Sequence, residues 1–140
     1  MVNRKGFTLI ELLIVVVILG VLLGIALTRY NDILRKANEG ATRGNLGTVR
    51  SALRVYYADM EGIYPENLAV LAENSRLLPR IPLIEVPFFH PDSAETRLAA
   101  GAPNDAGGWH YNNVSTDVDF GTLWVNCSHT DTLSSVWTSY

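Results

Sequence analysis

Residues Phe7 to Leu27 read FTLIELLIVVVILGVLLGIAL, and Glu11 is the only ionisable side chain among them. A helix that rises about 1.5 Å per residue makes this run roughly 31 Å long, which matches a hydrocarbon core of about 30 Å. From Thr28 onward the sequence is polar enough to build a small domain. The run therefore predicts one membrane-spanning helix followed by a domain outside the membrane.

Three kinds of amino-terminal segment contain such a run: a removed secretory signal, an ordinary signal anchor, and a helix that first spans the membrane and later packs against copies of itself. Arg4 and Lys5 supply the positive segment of a secretory signal, and Gly24-Ile25-Ala26 matches its small-x-small cleavage pattern. The run is longer than the roughly 7 to 15 residues usual in such signals, and Glu11 has no role in signal recognition. These two features disfavour cleavage at Ala26.

Glu11 bears on the other two alternatives. An acidic side chain within a spanning helix costs on the order of 3 kcal/mol and tends to have a partner. In one interpretation the Glu11 carboxylate stays hydrated near the lipid headgroups, and its place in the first turns of the helix also lets the helix dipole stabilise an anion. In the other, a neighbouring copy of the same chain supplies a cation.

The stretch RKGFTLIELLIVVVILGVL, residues 4 to 22, resembles the processing segment shared by type IV pilins and the pseudopilins of type II secretion systems. The resemblance implies that a prepilin peptidase cuts between Gly6 and Phe7 and then methylates the new amino group of Phe7. It also implies that this amine pairs with the Glu11 carboxylate when copies assemble. Thr28 departs from the pattern, because many family members carry a proline there.

The resemblance implies a structural subunit of a type IV pilus-like filament, or fimbrium, with copies of itself, the peptidase and an inner-membrane assembly platform as partners. The precursor would cross the inner membrane once and later become part of an extracellular pilus. A pseudopilin in a periplasmic pseudopilus is the alternative within the family. A membrane-anchored monomeric binding domain is the alternative of another class.

The segment after the apolar run continues as an amphipathic helix. Apolar residues recur at mostly three- and four-residue steps from Tyr30 to Met60, and Gly62 with Tyr64-Pro65 predicts the end of the helix. Three glycines between residues 40 and 47 predict a bend. The Tyr56 to Pro65 segment, YYADMEGIYP, again resembles the pilin family.

Residues 63 to 106 are predicted to form a loop, because prolines at 79, 82, 87, 91 and 103 interrupt any long element. The resemblance implies that this loop is the variable connection between helix and sheet in the family. Leu68 to Leu78 is the exception and predicts a short helix. Phe88-Phe89-His90 fits either an exposed contact patch or a plug in the core, and the plug is favoured.

From Gly107 the pattern changes to period two, in the runs GGWHYNN, VSTDVDFG and TLWVN, which predict a small antiparallel meander. Its inward side chains, which would face the helix, are Trp109, Tyr111, Leu123 and Val125. The sequence thus predicts an α+β, pilin-like fold in which a long helix packs on this sheet. Together with the resemblance, this predicts five regions: a leader (1–6), a transmembrane and filament-core helix (7–27), an amphipathic helix half (28–62), the variable loop (63–106) and the sheet region (107–140).

Catalysis and nucleic-acid binding have no support in the sequence. The net charge is -3 with no basic stripe, so no nucleic acid is expected as a partner. No nucleophile elbow, P-loop or dinucleotide fingerprint is present, which predicts that the chain is not an enzyme and needs no cofactor. His90, His110, His129 and Cys127 lack the spacing of a zinc site and predict no metal; partly exposed residues on a sheet edge are the favoured interpretation.

Overall fold

The computed structural model describes residues 6–140, so Arg4 and Lys5 of the expected leader lie outside the described residues. One helix, α1 (Leu9–Asp59), occupies the first part of the chain. The chain divides into two compact units, one that ends at Leu34 and one that covers Arg35–Tyr140. The long helix followed by a small sheet confirms the predicted α+β, pilin-like fold.

α1 runs unbroken through Gly40, Gly44 and Gly47, where the sequence predicts a bend. A Cβ placed on any of these glycines would meet no neighbouring atom within 4 Å, so no close packing requires them. Each glycine costs up to about 1 kcal/mol in a helix interior. In this region the buried residues Leu46 and Val49 attach the helix to the core, which offsets that cost.

The carboxyl end of α1 lies close to its predicted position. The helix ends at Asp59, and the Gly62 N–H donates to the Tyr57 carbonyl at 2.9 Å. Gly62 adopts the left-handed conformation (φ 92°) that favours glycine after a helix.

A three-stranded sheet contains β1 (Thr96–Leu98), β2 (Trp109–Tyr111) and β3 (Leu123–Val125) in that spatial order. β2 and β3 are antiparallel, as predicted, and Trp109 lies opposite Val125. β1 differs from the expectation, because it comes from the predicted variable loop and pairs with β2 in parallel. Its sequence, TRL, has no apolar alternation; Trp109 N–H donates to the Glu95 carbonyl at 2.7 Å and holds it in place.

The run VSTDVDFG forms turns, so its prediction as a strand is wrong. Asp117 organises these turns, because its Oδ1 accepts hydrogen bonds from Asn112 Nδ2 at 2.8 Å and from Asp119 N–H at 2.9 Å. Such side-chain bonds compete with strand pairing. Val118, which the period-two pattern counted as a strand residue, is 96% exposed.

Two short 3-10 helices complete the fold. The first, Leu68–Ser75, confirms the predicted helical segment, and the Asn67 side chain caps it by accepting from the Val70 N–H at 3.3 Å. The second is Trp137–Ser139.

One hydrophobic core joins the second half of α1 to the sheet and loops. The predicted inward residues of the sheet are all fully buried in it, which confirms that prediction. The core comprises Leu46, Val49, Ala52, Leu53, Leu68, Leu71, Leu78, Ile84, Val86, Trp109, Tyr111, Leu123, Val125, Cys127 and Trp137.

Candidate functional site

The start of α1 is a capping box. Thr8, the residue before the helix, donates to Glu11 Oε2 from its backbone N–H at 2.8 Å and from its hydroxyl at 2.7 Å. Glu11 N–H donates back to the Thr8 hydroxyl at 3.3 Å. This reciprocal arrangement satisfies two of the backbone donors that a helix leaves free at its first turn.

The sequence already contained the signal for this cap. Thr8-Leu9-Ile10-Glu11 has the T-x-x-E spacing that marks a helix start before an apolar run. The predicted partner of Glu11 is water or a cation of another chain, whereas in the structure its partner is Thr8, three residues earlier. Gly6 and Phe7 precede the cap in a non-helical stretch, and Phe7 is 73% exposed.

The amino-terminal part of α1 is apolar on every side. All residues from 6 to 34 are exposed, including the leucines, isoleucines and valines of the run. Within the described residues, α1 is the helix long and apolar enough to cross a membrane. Exposed apolar surface of this extent requires lipid or other protein to cover it.

Arg50 fastens the second half of α1 to the sheet. Its guanidinium donates to the Leu123 carbonyl at 2.7 Å and to the Tyr140 carbonyl at 2.6 Å. Burial and the nearby charge of Arg54 lower the pKa of Arg50. The group remains charged at neutral pH, since arginine has an ordinary pKa far above 7.

His110 lies apart from the other two histidines. It is fully buried in β2, which contradicts its predicted place on an exposed sheet edge. Arg97 Nη1 donates to its Nδ1 at 2.8 Å, and its Nε2 donates to the Gly101 carbonyl at 2.9 Å. Arginine has no acceptor, so this histidine carries its proton on Nε2.

The structure brings His90, Cys127 and His129 together, and it adds Asp105, which sequence reasoning did not consider. The Ser128 N–H donates to Asp105 Oδ1 at 2.7 Å, and this hydrogen bond is the main cause that lowers the pKa of the Asp105 carboxyl. Burial acts in the opposite direction, and a hydrogen bond from His90 adds to the lowering. Burial raises the pKa of the Cys127 thiol to about 11. The turn-forming pair Asn104-Asp105, which follows Pro103, is a signal in the sequence for this loop.

The preference for Phe88-Phe89 as a core plug is wrong. Phe88 is 79% exposed and Phe89 38% exposed, and the Arg35 guanidinium lies 5.8 Å from the centre of each ring. Phe88 adopts a left-handed backbone conformation (φ 74°), which turns the chain at this point. The Phe89 ring stacks on the His129 imidazole at 4.1 Å.

Comparison with known families identifies the amino-terminal segment. Residues 1–27 match the model of the prokaryotic N-terminal methylation motif. No solved structure matches the chain.

Several curated relatives are pilins. The chain is 44% identical over 61 residues to a type IV narrow pilus major component of Thermus thermophilus. This match covers 44% of this chain and 53% of the relative. It is 32% identical over 114 residues to the type IV major alpha-pilin of Moraxella bovis, covering 74% of this chain and 65% of that one. It is 42% identical over 64 residues to a type IV major pilin protein of Neisseria gonorrhoeae, and this match covers 46% of this chain and 29% of the relative. The matches thus span less than two thirds of each relative's length.

Proposed function

This chain is a member of the type IV pilin family, and from that membership we propose that it is the structural subunit of a type IV pilus-like filament. Pilins of this family are structural subunits and not enzymes. The observation that carries the proposal is the exposed apolar helix that begins at the Thr8–Glu11 cap, because such a surface must be covered first by lipid and then by sister helices.

The position of Gly6 and Phe7 supports processing by a prepilin peptidase. Both residues are exposed and precede the first helical residue, Leu9, so the bond between them is not part of a hydrogen-bonded helix. Cleavage there leaves the whole of α1 in the product. The same enzyme then methylates the amino group of Phe7.

The position of Glu11 supports a role in assembly. Glu11 lies four residues after Phe7 in the sequence, and its side chain is exposed in the first turn of α1. A protonated amine at Phe7 of one subunit and the Glu11 carboxylate of a neighbour are opposite charges in an apolar environment, where pairing is strongly favoured over leaving either alone. The pair sets the axial register between subunits, and an inner-membrane platform carries out the assembly.

Two measurements test the proposal. Intact mass and amino-terminal sequencing of protein from sheared filaments should show a chain that begins at methylated Phe7. Glu11→Ala should leave the processed subunit in the membrane fraction but abolish filaments. Asp32→Ala removes another exposed carboxylate of α1, just beyond the apolar run, and should leave assembly intact.

The alternatives predict different results. A chain that begins at Met1 or at Leu27 contradicts a processed filament subunit and returns the protein to the anchored or secreted binding domains. A chain that begins at Phe7 but stays in the cell envelope, and whose deletion stops protein secretion, indicates a pseudopilin of a type II secretion system. Wild-type assembly in Glu11→Ala contradicts the role of the carboxylate.

A further inference from the structure

We propose that His90, Asp105, Cys127 and His129 form a binding site for a single zinc ion in the unit that covers Arg35–Tyr140. Each residue offers one ligand atom, and the four atoms lie within 4.8 Å of one another. This site is separate from the amino-terminal segment and does not depend on the proposed role in a filament.

The distances between the donor atoms suit a tetrahedral ion. His90 Nε2 lies 3.1 Å and His129 Nδ1 lies 3.3 Å from Asp105 Oδ1, and Cys127 Sγ lies 3.5 Å from His129 Nδ1. Zinc bonds of about 2.0 to 2.3 Å at tetrahedral angles place neighbouring ligand atoms roughly 3.3 to 3.6 Å apart. The remaining pairs of donor atoms lie within 4.8 Å of each other, so an ion at the centre would draw these side chains together by up to about 1 Å.

The donor set selects the metal. One thiolate, two imidazoles and one carboxylate are ligands that zinc accepts, whereas calcium and magnesium bind almost entirely through oxygen. Four protein ligands complete a tetrahedral shell and leave no open position for a substrate. The chemistry is thus that of a structural zinc site.

The backbone around the cluster holds the donors in place. Asn104 and Asn126 join the Asp105 loop to the end of β3: Asn126 Oδ1 accepts from the Asn104 N–H at 2.8 Å, and its Nδ2 donates to Asn104 Oδ1 at 2.9 Å. Asp105 adopts a left-handed conformation (φ 65°), which aspartate tolerates in turns.

Two further contacts position the imidazoles. A Cβ on Gly107 would come within 3.1 Å of His90 Cβ, so the absence of a side chain at this position lets His90 approach. Phe89 stacks on the ring of His129 and fixes its plane. Outer contacts of this kind orient metal ligands and tune their affinity.

Burial of the cluster is graded from inside to outside. Cys127 is fully buried, the His90 side chain is 13% exposed, and those of Asp105 and His129 are 36% and 38% exposed. The Asp105 and His129 side chains are therefore the ligands that a cation from solvent would meet first. With one cysteine in the chain no internal disulfide exists, and zinc would cross-link three segments that are distant in sequence.

The test uses the full chain in detergent micelles, without a histidine tag and stripped with a chelator. Zinc titrated by calorimetry should bind with one equivalent per chain. Cobalt, used as a coloured substitute, should develop a thiolate-to-metal charge-transfer band and the intense visible absorption of tetrahedral cobalt. Zinc should also raise the thermal midpoint of unfolding.

Variants identify the ligands. Cys127→Ser should abolish the charge-transfer band, and Asp105→Asn and His129→Gln should each weaken zinc binding by at least about tenfold. Asp92→Asn, the same change at an exposed carboxylate outside the cluster, should bind zinc like the wild type. Because Cys127 is fully buried, circular dichroism checks the fold of its variant; if that variant is unfolded, His129→Gln at the partly exposed position decides the test.

Two outcomes would overturn the proposal. One is the absence of saturable zinc binding by the wild type, which would make the four residues a hydrogen-bonded cluster only. The other is binding of equal strength in wild type and a folded His129→Gln, which would place the ion elsewhere on the chain.

Discussion

Glu39 Oε2 accepts two hydrogen bonds from Thr132, one from its backbone N–H at 2.9 Å and one from its hydroxyl at 2.5 Å, across 93 positions of the sequence. Arg35 donates to the other carboxylate oxygen at 2.9 Å. The Glu39 side chain is only 2% exposed, and a charged group removed from water destabilises a fold unless its oxygens are paired. This carboxylate ties the last part of the chain to α1.

Glu39→Gln should lower the free energy of unfolding by about 2 kcal/mol, because hydrogen bonds to a charged group are replaced by weaker ones to a neutral amide. Chemical denaturation of the full chain in detergent, followed by near-ultraviolet circular dichroism, measures the loss. Glu73→Gln changes an exposed carboxylate and is the control. Equal losses in the two variants would contradict the role of Thr132 and Arg35.

The same carboxylate should make stability depend on acid pH. Burial alone would raise the pKa of Glu39, but hydrogen bonds from Thr132 and then from Arg35 outweigh it and hold the pKa below the ordinary 4.5. The unfolded chain therefore takes up this proton first, and the stability that Glu39 contributes above pH 4.5 is lost as pH falls through the folded pKa. The difference between wild type and Glu39→Gln in unfolding free energy should shrink below pH 4.5. A constant difference down to pH 2 would contradict this expectation.

His110 should titrate below its ordinary pKa of 6.5. Burial lowers the pKa of His110, the hydrogen bond to the Gly101 carbonyl opposes that shift, and the charge of Arg97 adds to it. The unfolded chain binds this proton first, so stability should fall as pH drops from 6.5 through the folded pKa. Nuclear magnetic resonance of histidine-labelled protein measures the midpoint, and His110→Gln assigns its signal. A midpoint at or above 6.5 would contradict the prediction.

Gly121→Ala should destabilise the protein much more than Gly101→Ala. Both glycines are left-handed, with φ 81° and 79°, so both substitutions incur a backbone cost of roughly 1 to 2 kcal/mol. A Cβ on Gly121 would also overlap the Tyr64 ring, whereas one on Gly101 would meet nothing within 4 Å. Thermal unfolding of the two variants gives the comparison. Similar midpoints would show that Tyr64 moves aside without cost.

The elements that sequence patterns predicted are those whose pattern is local. The apolar periodicity from Tyr30 to Met60 repeats over many turns, and α1 follows it to Asp59. Trp109 and Tyr111 alternate with polar residues within one strand, and both are buried. In these cases the periodicity that identifies the element is carried by residues only a few positions apart.

The elements that the sequence did not predict depend on distant partners. β1 is a strand only because Thr96 to Leu98 pair with β2 from another part of the chain. Asp105 reaches Cys127 and the histidines through a loop closed by Asn104 and Asn126, which no spacing along the chain records. Phe88 and Phe89 are large apolar residues of the kind that cores contain, but the turn at Phe88 leaves both of them exposed at the surface.

The reciprocal cap between Thr8 and Glu11 affects the state of subunits in the membrane before they assemble. A carboxylate that already accepts hydrogen bonds within its own chain gains less from the cation of a neighbouring copy. On the proposed function, recruitment into a filament is then an exchange of partners, in which the amine of a neighbouring Phe7 displaces the donors of Thr8. On the same proposal, the Glu11 carboxylate of each unpolymerised subunit in the membrane would already have hydrogen-bond donors within its own chain, which lowers the tendency of subunits to associate prematurely.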